Sequence, residues 1–208
     1  MCIRDSNVSA DAALTGLNTV DLASSAASTS SDSSTATSNA STLQGAELGS
    51  ATSIGGVGSI GGQVDFSGSA DAANVTGSAQ ATSDLAFDGT YGATPGIEKV
   101  VGLDANGATT ISSDGTLQGF TNLSSIAKAV TTNGLSSSSS RMSYIDGAEV
   151  SSVDIGGVGS ITGQNSLVSS SSSSNVEGGT STADSYLDSA DGLETVSYTH
   201  LRAHETWS

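Results

Sequence analysis

Two histidines, one cysteine, one tryptophan and one proline are all that this 208-residue chain holds of those types. One cysteine closes no internal disulfide. That scarcity fits an exported protein that does not rely on disulfides, and it fits many cytosolic ones too. Positive charge is also scarce, with 5 Lys and Arg against 21 Asp and Glu and a net charge of −16. A chain so acidic lacks the basic footprint that displaces phosphate counterions, which argues against nucleic acid as a partner. The same charge argues against docking on an anionic membrane surface. No apolar run approaches the ~20 residues that span a bilayer as a helix.

The two ends are unlike the rest. Met1-Cys2-Ile3-Arg4-Asp5-Ser6 and the stretch from Val196 to Thr206 (VSYTHLRAHET) resemble translated sequencing adapter. The front matches the end of a transposon library adapter, and the back its opposite strand with a primer tail. Leftover bases of that adapter permit only Ser or Arg at position 6 and only Ser, Pro, Thr or Ala at position 195. Ser6 and Thr195 stand there. Residues 1–6 and 196–208 are therefore set apart from fold reasoning as adapter-derived, and the frame between them is expected to be open at both ends. With Cys2, His200, His204 and Trp207 set aside, Asn7–Thr195 has no Cys, His or Trp. Its basic residues are Lys99, Lys128 and Arg141, against 19 acidic ones.

What remains is rich in Ser, Gly, Ala and Thr. Leu, Ile, Val and Phe together make 37 of the 189 residues, about a fifth, at the ~20% boundary below which highly charged chains are disordered. Small side chains bring little apolar area, while ordering the backbone costs ~1–2 kcal/mol per residue. Order in such a chain is expected from backbone hydrogen bonds between stacked strands, where small side chains permit close approach.

The chain repeats itself. Ile54-Gly55-Gly56-Val57-Gly58-Ser59-Ile60 recurs as Ile155-Gly156-Gly157-Val158-Gly159-Ser160-Ile161. The same offset continues through Gly62/Gly163, Gln63/Gln164, Ser69/Ser170, Asn74/Asn175, Val75/Val176 and Gly77/Gly178. Weaker copies are expected from Val100-Val101-Gly102-Leu103-Asp104 and near Leu14-Thr15-Gly16-Leu17, giving a unit of about 40–55 residues, in the range of repeat arrays. The expected organisation is a Ser/Ala-rich partial repeat at 7–53, a repeat unit at 54–99, a diverged unit at 100–154 and a truncated unit at 155–195.

Val64, Phe66, Gly68, Ala70 and Ala72 alternate with Gln63, Asp65, Ser67, Ser69 and Asp71, a strand pattern that Leu85 and Phe87 continue. Asn106-Gly107, Asp114-Gly115 and Asp146-Gly147 are turn dipeptides. Of these, Asn106-Gly107 predicts a hairpin between 97–103 and 108–111. Leu123, Ile126 and Val130 have helical spacing, with Thr121 or Asn122 as a cap and Asn133-Gly134 as a stop, and predict a short helix. The tracts Ser24–Ser41, Ser136–Ser140 and Ser169–Ser174 read equally as mobile linkers or strands.

Gly56-Val57-Gly58-Ser59-Ile60-Gly61 has the G-x-G-x-x-G spacing of a phosphate loop, but the residues after it read as strand and the second copy has Thr162 for the last Gly. Glycines at a tight bend between strands are the better reading. The same segment opens like the calcium nonapeptide G-G-x-G-x-D, yet Ile60 and Ile161 occupy the Asp position, so the ligand is missing. Candidate metal ligands are Asp184, Asp188, Asp191 and Glu194, with Asp65 and Asp71 as a second pair; none has EF-hand spacing, and acidic residues usually solvate a surface. Calcium is the cation such a set would take. Serine is plentiful without a histidine to activate it, and Lys99 or Lys128 has no supporting motif as a base, so no catalytic or cofactor-binding residue is assigned. The N-x-S/T triplets at Asn7, Asn39, Asn74 and Asn122 are expected by chance in so Ser/Thr-rich a chain.

The segments Val57–Gly62 and Val158–Gly163, with Asn74–Gly77 and Asn175–Gly178, resemble the very long Ser/Ala/Gly/Thr-rich repeat surface proteins of marine picocyanobacteria and related metagenomes. That resemblance implies a large secreted or surface-associated protein without an active site. The expected fold is all-β, a repetitive elongated array, either β-solenoid-like or of stacked antiparallel strands, with substantial low-order tracts; a largely disordered chain is the alternative. The expected function is a structural or adhesive segment at the cell exterior, not an enzyme, whose partners are neighbouring repeats. A binding module of a phage fibre or adhesin, taking a surface glycan or ice, is the alternative from another class. A regular row of Thr would favour ice and exposed aromatics glycan; Tyr91, Tyr144 and Tyr186 are too few to choose.

Overall fold

The alternation written through Gly58–Asn74 forms one 17-residue strand in the computed structural model, which describes residues 2–3, 7–49, 51–85, 99–195 and 200–201. Val64, Phe66, Ala70 and Ala72 point inward and are buried, while Gln63, Ser67 and Asp71 are exposed. The protein is all-β, and every strand pair among the described residues is parallel.

The chain makes successive passes over the same ground. β1 (Cys2–Ile3) and β2 (Asn7–Val8) lead into a first pass of β3 (Ala12–Ser28), β4 (Ser33–Ala40), β5 (Leu43–Leu48) and β6 (Thr52–Ile54). The second is β7 (Gly58–Asn74), β8 (Ser78–Leu85) and β9 (Val100–Ile111); the third is β10 (Gly115–Met142) and β11 (Ile145–Ile155). A fourth holds β12 (Gly159–Leu187), β13 (Ala190–Thr195) and β14 (His200–Leu201). Ala12, Gly58, Gly115 and Gly159 stand side by side in register, so the passes are 46, 57 and 44 residues apart. Val100–Asp104 registers with Leu43–Glu47 and with Ile145–Glu149, whereas the third-pass counterpart of Gly58–Ile60 is Gly115–Leu117.

Each pass runs out along one layer and returns along a second packed against it. Between the layers lie three clusters. Nearest the first corner, Ile60 and Leu117 meet Leu48, Ile54, Leu103, Ile111, Val150 and Ile155. Next, Val64, Phe66 and Leu123 meet Leu85, Val100, Met142 and Ile145. Farthest out, the contact shrinks to alanine, with Ala70, Ala72, Ala127 and Ala129 against Ala36, Ala79 and Ala81. Serine fills what alanine does not. The Ser125 hydroxyl donates to the Ser83 carbonyl at 2.6 Å, Ser140 to Ser125 at 2.7 Å, Ser171 to Ser138 and Ser173 to Ser136 at 2.8 Å. Each such bond contributes ~0.5–1.5 kcal/mol net and satisfies a hydroxyl that would otherwise be buried at a penalty.

Between the first two clusters the layers touch backbone to backbone. Gly16, Gly62, Gly119 and Gly163 form a column on the outgoing layer, opposite Gly45, Gly102, Gly147 and Gly192. A Cβ on the first four would lie 2.1, 1.9, 1.8 and 1.6 Å from the carbonyl oxygen of the glycine opposite. No side chain fits there.

The corners explain the long repeat. At one end Asp11 and Asp114 place Oδ1 2.8 Å from the N–H of Val57 and Val158, each in the following pass. A Cβ at Gly56 or Gly157 would lie 2.1 or 2.3 Å from that oxygen, so Gly-Gly-Val answers an Asp one pass before. At the other end the Asn74 side chain accepts the N–H groups of Thr76 and Gly77 and donates to Ser78 and Asp32 carbonyls. Asn175 likewise accepts the Gly178 N–H and donates to Gly134. Their neighbours in the other passes are Ser28 and Thr131. Both corners therefore alternate, and the offset read between 54–60 and 155–161 spans two passes.

Several local expectations are corrected. Leu123, Ile126 and Val130 lie in β10, with Leu123 buried and Ile126 44% exposed; the helical spacing is accidental in a strand whose partners fix its period. Asn106-Gly107 makes no hairpin, because β9 runs through it, with the register slipping opposite Val150/Ser152; residues 97 and 98 of the expected first arm lie outside the described residues. Asp146-Gly147 sits within β11 rather than in a turn. Ser136–Ser140 and Ser169–Ser174 are strand, as are 24–28 and 33–40 of the Ser24–Ser41 tract, on either side of a bend at 29–32. The stacked antiparallel alternative gives way to parallel pairing throughout. Phe87 and Tyr91 lie outside the described residues, as do Met1, 4–6, 196–199 and 202–208 of the adapter-like ends. Cys2–Ile3 pair with Glu47–Leu48, and His200–Leu201 with Asp154–Ile155.

The glycine column carries a direct test. Gly119→Ala forces a methyl against the Gly147 carbonyl and is expected to destabilise by ~1–3 kcal/mol or more in urea unfolding. Gly61→Ala, whose Cβ meets nothing nearer than 3.7 Å, is expected to be near neutral. Equal effects would show that the close approach does not govern stability.

Candidate functional site

One short pattern recurs in every pass of the returning layer: Leu43-Gln44-Gly45-Ala46-Glu47, Val100-Val101-Gly102-Leu103-Asp104, Ile145-Asp146-Gly147-Ala148-Glu149 and Ala190-Asp191-Gly192-Leu193-Glu194. The glycine faces the outgoing layer, and so does the residue after it. This local irregularity lets the second and fifth positions both face outward. Parallel register then stacks Glu47, Asp104, Glu149 and Glu194 in one column, and Gln44, Val101, Asp146 and Asp191 beside it.

Like charges directly opposite on neighbouring strands are destabilising. Lys99 answers this in the lower half of the column. Its Nζ lies 2.8 Å from Asp104 Oδ2 and 2.6 Å from Glu149 Oε2, joining the second pass to the third. The Gln44 amide donates to the same Asp104 oxygen at 3.0 Å, tying in the first. Burial alone would lower the Lys99 pKa; the hydrogen bonds to Asp104 and Glu149 outweigh it and hold the ammonium above the ordinary lysine value.

Among the described residues the upper half has no such cation. Positions equivalent to Lys99 are Tyr144 and Ser189. Here Asp146, Glu149 and Glu194 bring one carboxylate oxygen each to within 4.8 Å of one another. Asp146 is 8% exposed. Burial, then the charges of Glu194, Glu149 and Asp191, push its carboxyl up to about 7, against a smaller opposing pull from Lys99. Elsewhere on the returning layer, burial pushes Asp84 up to about 6, with Arg141 opposing. Its Oδ1 is buried without a hydrogen-bond partner.

Of the acidic residues picked out from the sequence, Glu194 belongs to this cluster and Asp191 stands in register beside Asp146. Asp184 lies elsewhere, beside Ser139 on β12, and Asp188 accepts the Tyr186 hydroxyl at 3.3 Å. Asp65 takes both bonds from the Gln63 amide, and Asp71 registers with Lys128, so that pair does not converge. Asp146, Glu149, Lys99 and Asp104 were missed. The recurring x-x-Gly-x-acid pattern was the signal that could have found them. Asn74, one of the N-x-T positions, is 4% exposed and consumed by its corner.

On the outgoing layer, Leu17, Gln63, Phe120 and Gln164 share an outward column. Leu17, Gln63 and Phe120, side by side on three strands, line a shallow groove of about 250 Å³ together with Gly61 and Gln118. The other outward columns of this layer mix residue types, and no continuous row of Thr forms among the described residues. Nor, among these residues, is any helix long and apolar enough to cross a membrane. Compared with protein-family models, curated proteins and solved structures, the chain matches none.

Both raised carboxyls set a pH dependence of one sign. Each folded-state pKa lies above the ordinary aspartate value, so the folded protein holds the proton more tightly than the unfolded chain does. Stability is therefore greatest below about pH 4 from these groups and falls as pH rises through about 6 for Asp84 and about 7 for Asp146. In metal-free buffer the melting temperature is expected to be higher at pH 5 than at pH 8, and Asp84→Asn is expected to flatten part of that slope. A variant with the wild-type slope would remove Asp84 from the account.

Proposed function

We propose that this chain is a segment of an elongated, repetitive, acidic β-solenoid-like protein that serves as a structural or adhesive spacer at the cell exterior, without catalysis. The observation that carries the reading is the in-register recurrence of one cross-section, pass after pass, with the same glycine pinch and the same corners. Stability in such an array comes from each pass lying on its neighbours, so its natural partners are further passes of the same longer chain. The exposed acidic residues favour solubility and discourage edge-to-edge association of separate molecules. The resemblance to surface repeat proteins of marine picocyanobacteria supports an extracellular location. Within this reading, residues 1–6 and 196–208 are adapter-derived, and the short pairings at Cys2–Ile3 and His200–Leu201 are incidental to the array.

A binding role is the second reading, and the Leu17–Phe120 groove favours a glycan over ice as its ligand. Apolar side chains with amide groups among them suit a sugar, which offers one apolar face and peripheral hydroxyls. Ice would call for the Thr row that the outward columns of this layer lack.

Circular dichroism on residues 7–195, made without either end, tests the spacer reading. A β spectrum matching that of residues 1–208 is expected. A random-coil spectrum overturns the array for this segment. Longer sequence reads across both ends are expected to continue the same register; a stop codon directly after Thr195 would overturn the reading of an open frame.

A further inference from the structure

We infer that Asp146, Glu149 and Glu194 form a calcium site that fastens the fourth pass to the third. Two observations converge on it. The first is the convergence itself: three carboxylate oxygens within 4.8 Å of one another, two from β11 and one from its neighbour β13. The second concerns Asp146 alone. It is more than nine-tenths buried, its carboxylate faces the other two, and among the described residues it takes no hydrogen bond and no ion pair. A buried carboxylate without a donor calls for a proton or a cation.

The pass below shows what the column requires. There Asp104 and Glu149 face one another and Lys99 stands between them at 2.8 and 2.6 Å. One strand higher the carboxylates recur, but the equivalent position is Tyr144, which brings no charge. A metal ion supplies there what lysine supplies below. It is the external counterpart of an internal cation.

The donor set selects the metal. All three ligands are hard anionic oxygens, with no imidazole or thiolate, which suits calcium, magnesium or manganese over zinc or copper. Calcium accepts six to eight oxygens at ~2.3–2.6 Å in flexible geometry, whereas magnesium demands a near-ideal octahedron at ~2.0–2.1 Å and gives up its waters reluctantly, so an irregular set of three carboxylates favours calcium. Glu194 is exposed, so water reaches the site from its side and completes the six to eight ligands calcium takes. Asp191, in register with Asp146, adds a further negative charge nearby. Three carboxylates with an open side place the affinity in the weak class of extracellular modules, Kd ~10⁻⁴–10⁻³ M.

The test uses the full 208-residue chain, stripped with chelator and titrated with calcium chloride by calorimetry, with melting followed by circular dichroism. One calcium per chain is expected at this site, with a melting temperature that climbs with calcium concentration and a weaker response to magnesium. Glu194→Gln, at an exposed position that the fold does not need, is expected to weaken binding at least tenfold. Glu177→Gln, at the far corner, is expected to leave it unchanged. No heat and no melting shift at about 10 mM calcium, well above the expected Kd, would overturn the site, as would sodium chloride of equal ionic strength giving the same shift. Wild-type affinity in Glu194→Gln would overturn it too, and equal affinity for magnesium would overturn the choice of calcium. The site does not rest on the spacer reading. A β spectrum without a calcium response removes the site alone, and a coil spectrum with and without calcium removes both.

Discussion

In parallel register every residue lies about 4.8 Å from its counterpart in the next pass, and this chain repeats that relation at nearly every described position. The constraint is strict because the backbone sets it. Side chains at one position share one environment: above, below and across the layer. Bulk tolerated once is then tolerated in a column, and bulk refused once is refused in a column. The facing glycines show the second case, since a methyl at Gly62 or Gly119 would meet a carbonyl carbon and oxygen rather than a movable side chain. The alanine cluster and the hydroxyls of Ser125, Ser138, Ser140, Ser171 and Ser173 show the first. Two layers held this close need little oil. Backbone pairing, with serine hydroxyls returning bonds to the opposite carbonyls, orders a sequence whose aliphatic content stands near the disorder boundary.

The same constraint creates the electrostatic problem. A carboxylate on the outward face of one pass meets a carboxylate in the next, at a spacing where repulsion is strong and only partly screened. The chain answers it in three ways. Lys99 bridges two passes at once. Gln44 substitutes an amide for the acid at the first-pass position and donates to Asp104. Asp146, buried beside Glu194, Glu149 and Asp191, holds its proton to higher pH. These are one physical response applied with different chemical means, and it is strongest where burial removes water.

How far the sequence disclosed this depends on the kind of signal. Period-two alternation at 63–72 was legible because inward and outward positions differ in polarity there. It was not legible through Ser136–Ser140 or Ser169–Ser174, where both faces are serine and the alternation has no chemical contrast. Helical spacing at Leu123, Ile126 and Val130 misled because it considered the segment alone. In β10 those residues are held by two strands, Val64–Asn74 on one side and Asn165–Asn175 on the other. Asn106-Gly107 carried a hairpin signal whose local preference was spent on a slip in register instead. The acidic cluster was half visible. Asp191 and Glu194 are neighbours in sequence, whereas Asp146 and Glu149 come from 45 residues earlier, one pass away.

The strongest sequence signal meant something different from its first reading. A match between 54–60 and 155–161 invites a unit of that length, or a divided unit with diverged copies between. The corners give the physical account. Asp114 reaches forward one pass to the Val158 N–H, and that contact requires Gly157 to be bare. A pass that presents Asp is therefore followed by a pass that presents Gly-Gly, and Asp11 with Gly56 obeys the same rule. Asn74 and Asn175 alternate with Ser28 and Thr131 at the opposite corner for a parallel reason: each Asn closes its own bend and reaches back to a carbonyl of the pass before, Asp32 or Gly134. The strands repeat every pass while the corners repeat every second pass. Sequence identity collected at the longer interval because corners depend on particular side chains, whereas the strands between them ask only for small size and the right face.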